Sequence, residues 1–298
     1  MDEATVYVPA TSANLGPGFD CLALALDLWN RTIFRLEGRG VKVSVAGEGA
    51  GRLPAGSSNL IVQSFMQTCK ERGLPEPEGL HIGCHNAIPL GSGLGSSASA
   101  VMAGIMGANA LLGLGLKQQD IIRNASKFEG HADNAAASVY GGLVVVAFDG
   151  DELLVRSIQV APMKVVIVLP DFYLPTKRAR AALPKKVAFS DAVANIGRSA
   201  LVVEALRTGD RDLLGRAMVD RLHQPYRLPL IPGAEAALKF AWERGVPAAI
   251  SGAGPSLIAF PERDEESLAK GMVGEFEAAG LMSRSWLLDV SETGARIE

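Results

Sequence analysis

The sequence has few of the features that mark secreted proteins. Its three cysteines are odd in number and match no metal-binding spacing. The first residues, Met1, Asp2 and Glu3, lack the basic segment that opens a signal peptide. We therefore expect a protein of the reducing cytoplasm.

An excess of charge of either sign is also missing. With 29 basic and 32 acidic residues the formal net charge is −3, so we expect neither a nucleic-acid partner nor a membrane partner. Residues 85–116 contain no Asp, Glu, Lys or Arg, but the stretch includes Asn109 and several glycines. Its fully apolar part is shorter than the ~20 residues that a membrane-spanning helix needs. The pattern predicts a buried core helix instead.

Hydrophobic residues make up 48% of the 298 residues, which is enough for a large core and a length typical of about two domains. Strand-like and helix-like patterns are mixed in both halves, without the regular alternation of a doubly wound sheet. The patterns include a strand at residues 31–36 and a helix at residues 210–222. We predict an α+β fold with two domains, residues 1–152 and 153–298.

The most informative segment is a glycine loop, residues 89–99. Gly91, Gly93 and Gly95 stand at alternate positions, and a helix is predicted to start at Ser96 or Ser97. Such glycines let the backbone approach a ligand, and the start of a helix attracts anions, so the loop predicts a polyphosphate site. A Walker A loop needs Lys after its last glycine, and a dinucleotide fingerprint needs Gly-x-Gly-x-x-Gly; neither spacing is present. An ordinary tight turn before a core helix is the alternative.

Three other segments carry candidate functional residues. The N-terminal motif, residues 8–21, places Asn14 and Asp20 in a Gly-Pro-Gly loop, where a helix-capping Asn and a turn Asp are the alternative. The C-terminal motif, residues 250–257, is rich in glycine between two apolar strands and could serve only a hairpin. The polar cluster, residues 129–134, places four polar side chains just before a buried strand.

These segments together resemble the three motifs of the GHMP kinases, named for galactokinase, homoserine kinase, mevalonate kinase and phosphomevalonate kinase. Residues 89–98 match the pattern Pro-x-x-x-Gly-Leu-Gly-Ser-Ser-Ala, and the order and spacing of the motifs cover nearly the whole chain. The stretches Thr-Ser-Ala-Asn-Leu-Gly-Pro-Gly-Phe-Asp and His-Ala-Asp-Asn are most similar to the homoserine kinase branch.

The resemblance implies an N-terminal domain like domain 2 of ribosomal protein S5, a ferredoxin-like C-terminal domain, and ATP at their junction. It also implies ATP- and Mg²⁺-dependent phosphorylation of the L-homoserine hydroxyl to O-phospho-L-homoserine, a step towards threonine. The rival interpretations are another GHMP kinase, of mevalonate, galactose or shikimate type, and a catalytically inactive nucleotide-binding regulator. A homodimer is a further expectation.

The resemblance also assigns roles to particular residues. The ATP phosphates would be held by Pro89, Leu90, Gly91, Ser92, Gly93, Leu94, Gly95, Ser96, Ser97, Ala98 and Ser99. Mg²⁺ would be bound by Ser97 and Glu129, although a solvated Glu129 at a helix end is the alternative. Homoserine would be bound by Asn14, Asp20, His131, Asn134, Thr176, Arg180, Arg227 and Gly254. Asp20 suits the ammonium group, and a guanidinium fork suits the carboxylate.

The candidate catalytic residues are Asp133 and Asn134. Several family members use an Asp base near the position of Asn134, whereas the homoserine kinases resembled here carry Asn. Direct transfer without a protein base is therefore expected, since phosphoryl transfer depends mainly on positioning and charge neutralisation. Asp133 is the rival candidate for a base. Only Gly130 separates Glu129 from His131, which is a shorter spacing than in some homoserine kinases.

Overall fold

Two β-sheets, each packed against helices, form the computed structural model, which describes residues 2–150 and 152–298. In these residues the strands are β1 (Glu3–Ala13), β2 (Leu22–Arg35), β3 (Gly40–Gly47), β4 (Gly79–Asn86), β5 (Leu143–Asp149), β6 (Glu152–Ile158), β7 (Lys164–Pro170), β8 (Ala248–Ile250), β9 (Leu257–Ala259), β10 (Ser283–Asp289) and β11 (Arg296–Ile297). The helices are α1 (Leu60–Glu71), α2 (Ser96–Leu111), α3 (Gln118–Glu129), α4 (Asp133–Tyr140), α5 (Thr176–Ala181), α6 (Phe189–Thr208), α7 (Arg211–Ala217), α8 (Gln224–Arg227), α9 (Ala234–Trp242) and α10 (Glu265–Ala278). A short 3₁₀ turn, Leu228–Leu230, follows α8.

The first sheet has the order β11-β1-β2-β4-β3, and β5 pairs with β2 and with β6. All its pairs are antiparallel except β3 with β4. Helices α1 to α4 supply buried residues to the same core as this sheet. Strand pairing carries the first sheet beyond the predicted limit of residue 152, because β6 forms a hairpin with β5 and β11 returns beside β1. The division into residues 1–152 and 153–298 stays a prediction.

The second sheet has the order β10-β7-β9-β8, with every pair antiparallel. Along the chain its elements run from β7 through helices to β8 and β9, and then through α10 to β10. This is the ferredoxin-like arrangement that the resemblance implies. A third hydrophobic cluster packs α9 and α10 onto the sheet.

The two sheets share a hydrophobic cluster at their junction. Leu22, Leu24 and Leu26 of β2 belong to it together with Val165 and Ile167 of β7. Burial of apolar area drives this contact. The junction between the two sheets is therefore a continuous hydrophobic core.

Two predicted elements have different bounds in the structure. The predicted strand at 31–36 is the end of β2, which begins at Leu22. Its first half was missed because Leu22 faces the junction core and Ala23 faces the first domain's core, which removes the alternation of polarity that indicates a strand. The predicted helix at 210–222 is wrong beyond Ala217, because the Asp220 carboxylate accepts hydrogen bonds from the amides of Leu222, His223 and Gln224 and turns the chain. Among the described residues, no helix is both long and apolar enough to cross a membrane.

Candidate active site

The glycine loop, the two motifs and the polar cluster line one cavity of about 510 Å³ between the two sheets. The predicted site residues that line it are Asn14, Asp20, Gly91, Ser92, Gly93, Gly95, Ser96, Ser97, Ala98, Glu129, His131, Asp133, Asn134, Thr176, Arg180, Arg227 and Gly254. Leu90 and Ser99 line a neighbouring cavity instead. Pro89 and Leu94 line neither of these two cavities, because they support the loop from behind: the Pro89 carbonyl accepts from Ser92, and the Leu94 carbonyl accepts from Thr11.

The start of α2 gives the cavity its anion-binding character. Helix α2 begins at Ser96 directly after Gly95, and no side chain caps its N-terminus. The first-turn amides of a helix have no partner within the helix, and the helix dipole is positive at this end. The cavity therefore has a wall of amide donors suited to phosphate oxygens.

The glycines of the loop lie close to other segments of the protein. Gly91, Gly93 and Gly95 have φ of +62°, +83° and +72°, where other residues are strained. A Cβ atom on Gly93 would collide with the carbonyls of Ser251 and Gly254 in the C-terminal motif. A Cβ atom on Gly95 would collide with the Thr11 side chain, and one on Gly91 would come too close to the Tyr173 ring. The glycines thus permit close packing of the loop against other protein segments, and the predicted approach of their backbone to a ligand stays a prediction.

Ser97 and Glu129 meet on one wall of the cavity. The Ser97 hydroxyl donates to Glu129 Oε1 at 2.6 Å, although the two residues lie on different helices. The short spacing between Glu129 and His131 therefore does not keep Glu129 away from the loop. In the described residues no three His, Cys, Asp or Glu side chains cluster as a complete metal site. Two hard oxygens fit Mg²⁺ that arrives with a nucleotide, because that ion keeps phosphate and water ligands.

Asn14 and Asp20 have left-handed backbone conformations, with φ of +73° and +55°. Asn14 Nδ2 donates to the Gly252 carbonyl at 2.6 Å, and Asn14 Oδ1 accepts from the Asp20 amide at 3.0 Å. The Asn14 side chain therefore ties the N-terminal motif to the C-terminal motif. Backbone strain of this kind persists where the surrounding structure enforces it, and it clusters at functional sites.

Asp20 and Arg180 form a bidentate ion pair inside the cavity. The two guanidinium nitrogens donate to the carboxylate oxygens at 2.9 and 2.7 Å. The hydrogen bonds that Arg180 donates to Asp20 raise the pKa of Arg180 above its ordinary value. Both side chains remain about one-third exposed, at 34% and 35%, so a ligand can reach the pair.

Arg227 is the largest fully buried side chain, with 1% of its surface exposed. Its Nη1 donates to the Gly252 carbonyl at 3.2 Å and to His223 Nδ1 at 3.3 Å, and its Nε has no partner in the described residues. Burial, and then the nearby charge of Arg180, lowers the pKa of Arg227 to about 10, so it stays charged at neutral pH. Both guanidinium groups lie near the Phe19 ring, at 5.1 Å for Arg227 and 5.5 Å for Arg180.

His131 and Asp133 form a second close pair at the start of α4. His131 Nδ1 lies 2.6 Å from Asp133 Oδ1, which also accepts from the Asn134 amide at 2.7 Å. Burial lowers the pKa of His131, but the hydrogen bond and the charge of Asp133 outweigh it and raise the pKa above its ordinary value. The Asn134 side-chain oxygen accepts from the Thr11 hydroxyl at 2.7 Å. Asp133 thus orients His131 and favours its protonated form.

Comparison with known proteins identifies the family. The family profile of the GHMP kinases N terminal domain matches residues 59–142, and that of the GHMP kinases C terminal matches residues 202–278. A homoserine kinase of Moorella thermoacetica is 42% identical over 278 residues, covering 93% of each chain. A homoserine kinase of Prochlorococcus marinus is 44% identical, covering 97% of this chain and 94% of that one. The chain belongs to the homoserine kinases of the GHMP kinase family.

Solved structures agree with membership of the homoserine kinases. The crystal structure of homoserine kinase from Cytophaga hutchinsonii has a TM-score of 0.88 at 33% identity, covering 100% of this chain and 98% of that one. Mevalonate kinase of L. major, at 15% identity and a TM-score of 0.70, shares the fold. The predicted α+β fold with two GHMP kinase domains is confirmed, as is the prediction of an ATP-dependent small-molecule kinase.

Sequence reasoning missed a second cavity, about 560 Å³, which shares the lining residues Gly91, Ser96, Ser97 and Thr176 with the first. The additional residues that line it include Asn30, Thr32, Arg52, Pro54, Asn59, Cys84, Tyr173 and Pro175. They come from separate elements and form no motif along the chain. Asn30 carried no usable signal, because Arg31 and Thr32 follow it directly and it lies just before the predicted strand. It is buried, and its oxygen accepts from the amides of Ala87 and Ile88 at 2.9 and 3.0 Å.

Proposed function

We propose that this chain transfers the γ-phosphoryl group of ATP to the side-chain hydroxyl of L-homoserine, giving ADP and O-phospho-L-homoserine for threonine biosynthesis. Membership of the homoserine kinases supports the substrates. One observation supports the assignment of residues. The amide wall of α2 and the charged groups of the N-terminal motif, α5 and α8 line the same cavity. Those groups match a zwitterion, not a neutral sugar.

The substrate end of the cavity offers two kinds of charged contact. An α-amino acid carries its ammonium and carboxylate on one carbon, so it can lie against the Asp20–Arg180 pair with each group near its opposite charge. Arg227 adds a buried cation with which no carboxylate of the described residues pairs. The substrate carboxylate would supply that missing charge. Asn14, His131, Thr176 and Gly254 border the same space.

The nucleotide would occupy both cavities. Its phosphates would lie against the first turn of α2 and the glycine loop, in the cavity that also holds the substrate groups. Its nucleoside would enter the neighbouring cavity, where Tyr173 and Leu90 offer apolar surface and Asn59 and Asn86 offer polar groups. The two cavities share the lining residues Gly91, Ser96, Ser97 and Thr176, so one nucleotide would extend from one cavity into the other.

Ser97 and Glu129 would hold Mg²⁺ on the phosphates. A bound Mg²⁺ would neutralise phosphate charge that develops during transfer. Without the metal the Ser97 hydroxyl satisfies the Glu129 carboxylate, so neither oxygen needs a distant partner.

Replacement of Glu129 by glutamine is expected to raise the Mg²⁺ concentration needed for half-maximal activity by about 10- to 100-fold. Glutamine keeps the shape and the bond to Ser97 but removes the charge. The control is Glu71→Gln, which removes a carboxylate that pairs with Lys127 on the surface between α1 and α3. An unchanged Mg²⁺ titration of the Glu129 variant would show that Glu129 is a solvated residue at a helix end and not a metal ligand.

Phosphoryl transfer is proposed to proceed without a protein base. As the new O–P bond forms and the bond to ADP breaks, the hydroxyl proton passes to an oxygen of the transferring group. Asp133 is poorly placed as an independent base, because its Oδ1 binds His131 and the Asn134 amide. His131 and Asn134 would orient the hydroxyl, and positioning of this kind contributes much of the rate in such reactions.

The base question is tested by Asp133→Asn. We expect kcat to fall by less than about 100-fold, since loss of a positioned general base lowers kcat by about 10²–10⁴-fold. We also expect the pH dependence of kcat to stay unchanged. The KM for homoserine should change, because the variant loses the Asp133 charge that raises the pKa of His131, while the burial that lowers this pKa remains. In a His131→Gln background the same change should have little further effect. A larger loss of kcat in the folded protein would identify Asp133 as the base.

A homodimer through the outer face of α6 is part of the proposal. Phe189, Val193 and Ile196 form one stripe at helical spacing and are 85%, 52% and 72% exposed. Exposed apolar stripes mark association surfaces. Ile196→Glu should convert a dimer into a monomer in light scattering, whereas Met282→Glu, at a site 79% exposed elsewhere, should not. A monomeric parent protein would exclude the dimer.

We place the reaction in the cytoplasm. The three cysteines are free thiols, and Cys69 and Cys84 are buried, as suits a reducing compartment. Fractionation of cells that express the tagged enzyme tests this placement.

The function itself is tested by ADP release over a substrate panel. We expect turnover with L-homoserine and at least 100-fold lower kcat/KM with mevalonate, galactose and shikimate, since a site built for paired charges rejects ligands that leave them unpaired. Threonine carries the same two charged groups, but its hydroxyl is one carbon closer to them, so we expect poor turnover because the hydroxyl would not reach the transferred group. Turnover of another alcohol in preference to homoserine would overturn the substrate. ATP binding without turnover of any of them would favour a regulator.

A further inference from the structure

We infer that His223 is a positioning residue, which holds Arg227 beside the Gly16–Phe19 loop in the geometry that binds the substrate carboxylate. The inference rests on the proposed function, and it concerns a histidine that the sequence motifs do not mark. His223 lies in the segment between α7 and α8, outside the cavity, with none of its surface exposed. It therefore acts through its neighbours rather than on the substrate.

Both ring nitrogens of His223 have partners in the substrate site. Nε2 lies 2.7 Å from the Gly16 carbonyl, and Nδ1 lies 3.3 Å from Arg227 Nη1. A carbonyl can only accept and a guanidinium can only donate. His223 must therefore carry its proton on Nε2 and accept at Nδ1. The ring also stacks on Phe19, with 5.3 Å between centroids.

The charged groups around His223 favour a neutral ring. Arg227 from α8 presents a buried cation directly at Nδ1. Asp220 from the preceding segment lies 3.6 Å from Nε2, but that carboxylate is occupied by the amides of His223 and Gln224 at 2.8 and 2.6 Å. Asp20 from the N-terminal motif is the remaining nearby charge, and it is paired with Arg180. Burial, only partly offset by the Asp220 charge, lowers the pKa of His223 to about 4.

The segment that carries His223 is itself held by a buried network. Asn195 of α6 donates to Asp220 Oδ1 at 2.7 Å and to the Pro17 carbonyl at 3.3 Å. The Gln224 side chain accepts from the Ile250 amide at 2.8 Å, next to the C-terminal motif. His223 thus stands where α6, the N-terminal motif and α8 meet. Loss of the His223 side chain should therefore weaken the binding of homoserine, and it should leave the binding of ATP at the amide wall of α2 unchanged.

The test measures the KM of homoserine and of ATP for His223→Leu and His223→Gln, each alone and with Arg227→Ala. Loss of a hydrogen bond to a charged group should raise the homoserine KM about 10- to 100-fold in His223→Leu, with less than about threefold change for ATP. Glutamine can donate to Gly16 and accept from Arg227, so His223→Gln should recover most of the loss. With Arg227→Ala present, His223→Leu should add less than about threefold. His85→Leu, an exposed histidine on β4, is the matched control.

Each contrary result has a separate meaning. Equal increases in both KM values, or full effects of His223→Leu on top of Arg227→Ala, would show a merely structural role and overturn this inference alone. A parent enzyme that does not phosphorylate homoserine would overturn the proposed function and this inference with it. Should the leucine variant not fold, imidazole ¹⁵N NMR of the parent decides: an Nε2–H ring that stays neutral down to pH 5.5 supports the inference, and an Nδ1–H or charged ring overturns it.

Discussion

Replacement of Arg227 by alanine is expected to raise the KM for homoserine by tens to thousands of fold, with a much smaller change for ATP. The guanidinium is buried, stays charged and, within the part of the chain that the structure describes, bonds only to a carbonyl and to His223. Removing one partner of a desolvated charged contact has a cost of about 2–5 kcal/mol, which corresponds to that range of affinity. Steady-state kinetics with each substrate varied in turn measures the difference.

The carboxylate contact can be isolated with a substrate analogue. Homoserine amide lacks the carboxylate charge, so it should be a poor substrate for the parent enzyme and lose much less further activity in Arg227→Ala. Arg180→Ala should behave similarly, although the partial exposure of its pair with Asp20 makes the expected effect smaller. Arg216→Ala, on the exposed face of α7, is the control for loss of a positive charge. An equal loss on homoserine and on its amide would place Arg227 away from the carboxylate.

The sequence motifs could predict which residues share the active site because each motif is local. The glycine loop, the Asn14 to Asp20 turn and the polar cluster each place polar groups on irregular backbone between buried elements. Apolar packing at the junction then brings them together, and Leu24 of β2 and Ile167 of β7 in one core illustrate that step. The fold class followed from the same patterns, since mixed strands and helices leave few ways to bury two apolar sheets.

What local patterns could not predict are contacts between distant segments. Asp20 and Arg180 are 160 residues apart, and nothing in either motif indicates that they pair. His223 lies close to Arg227 along the chain, but its bond to Gly16 joins positions 207 residues apart. Helix α7 ends early for the same reason: Asn195 of α6 fixes Asp220 in the chain turn, and the apolar residues beyond Ala217 continue a helical pattern that the backbone does not follow.

The role of Gly93 is another contact of this kind, and it leads to the second large effect. Gly93→Ala is expected to lower the free energy of unfolding by about 2–5 kcal/mol. Left-handed backbone accounts for about 1–2 kcal/mol, and overpacking accounts for about 1–3 kcal/mol. The overpacking arises because the new Cβ meets the carbonyls of Ser251 and Gly254, which must move. Thermal and urea unfolding measure the change.

Gly113 provides the matched control, since its φ of +60° is also left-handed but a Cβ there would meet no atom within 4 Å. Gly113→Ala should therefore lose only the backbone contribution of about 1–2 kcal/mol. The difference between the two variants isolates the collision between the glycine loop and the C-terminal motif. Because that collision would also shift the amides before α2, the KM for ATP should rise in Gly93→Ala and stay constant in Gly113→Ala. Equal stability losses in the two variants, with ATP binding weakened only at Gly93, would instead show that Gly93 faces the nucleotide, as the sequence pattern alone predicted.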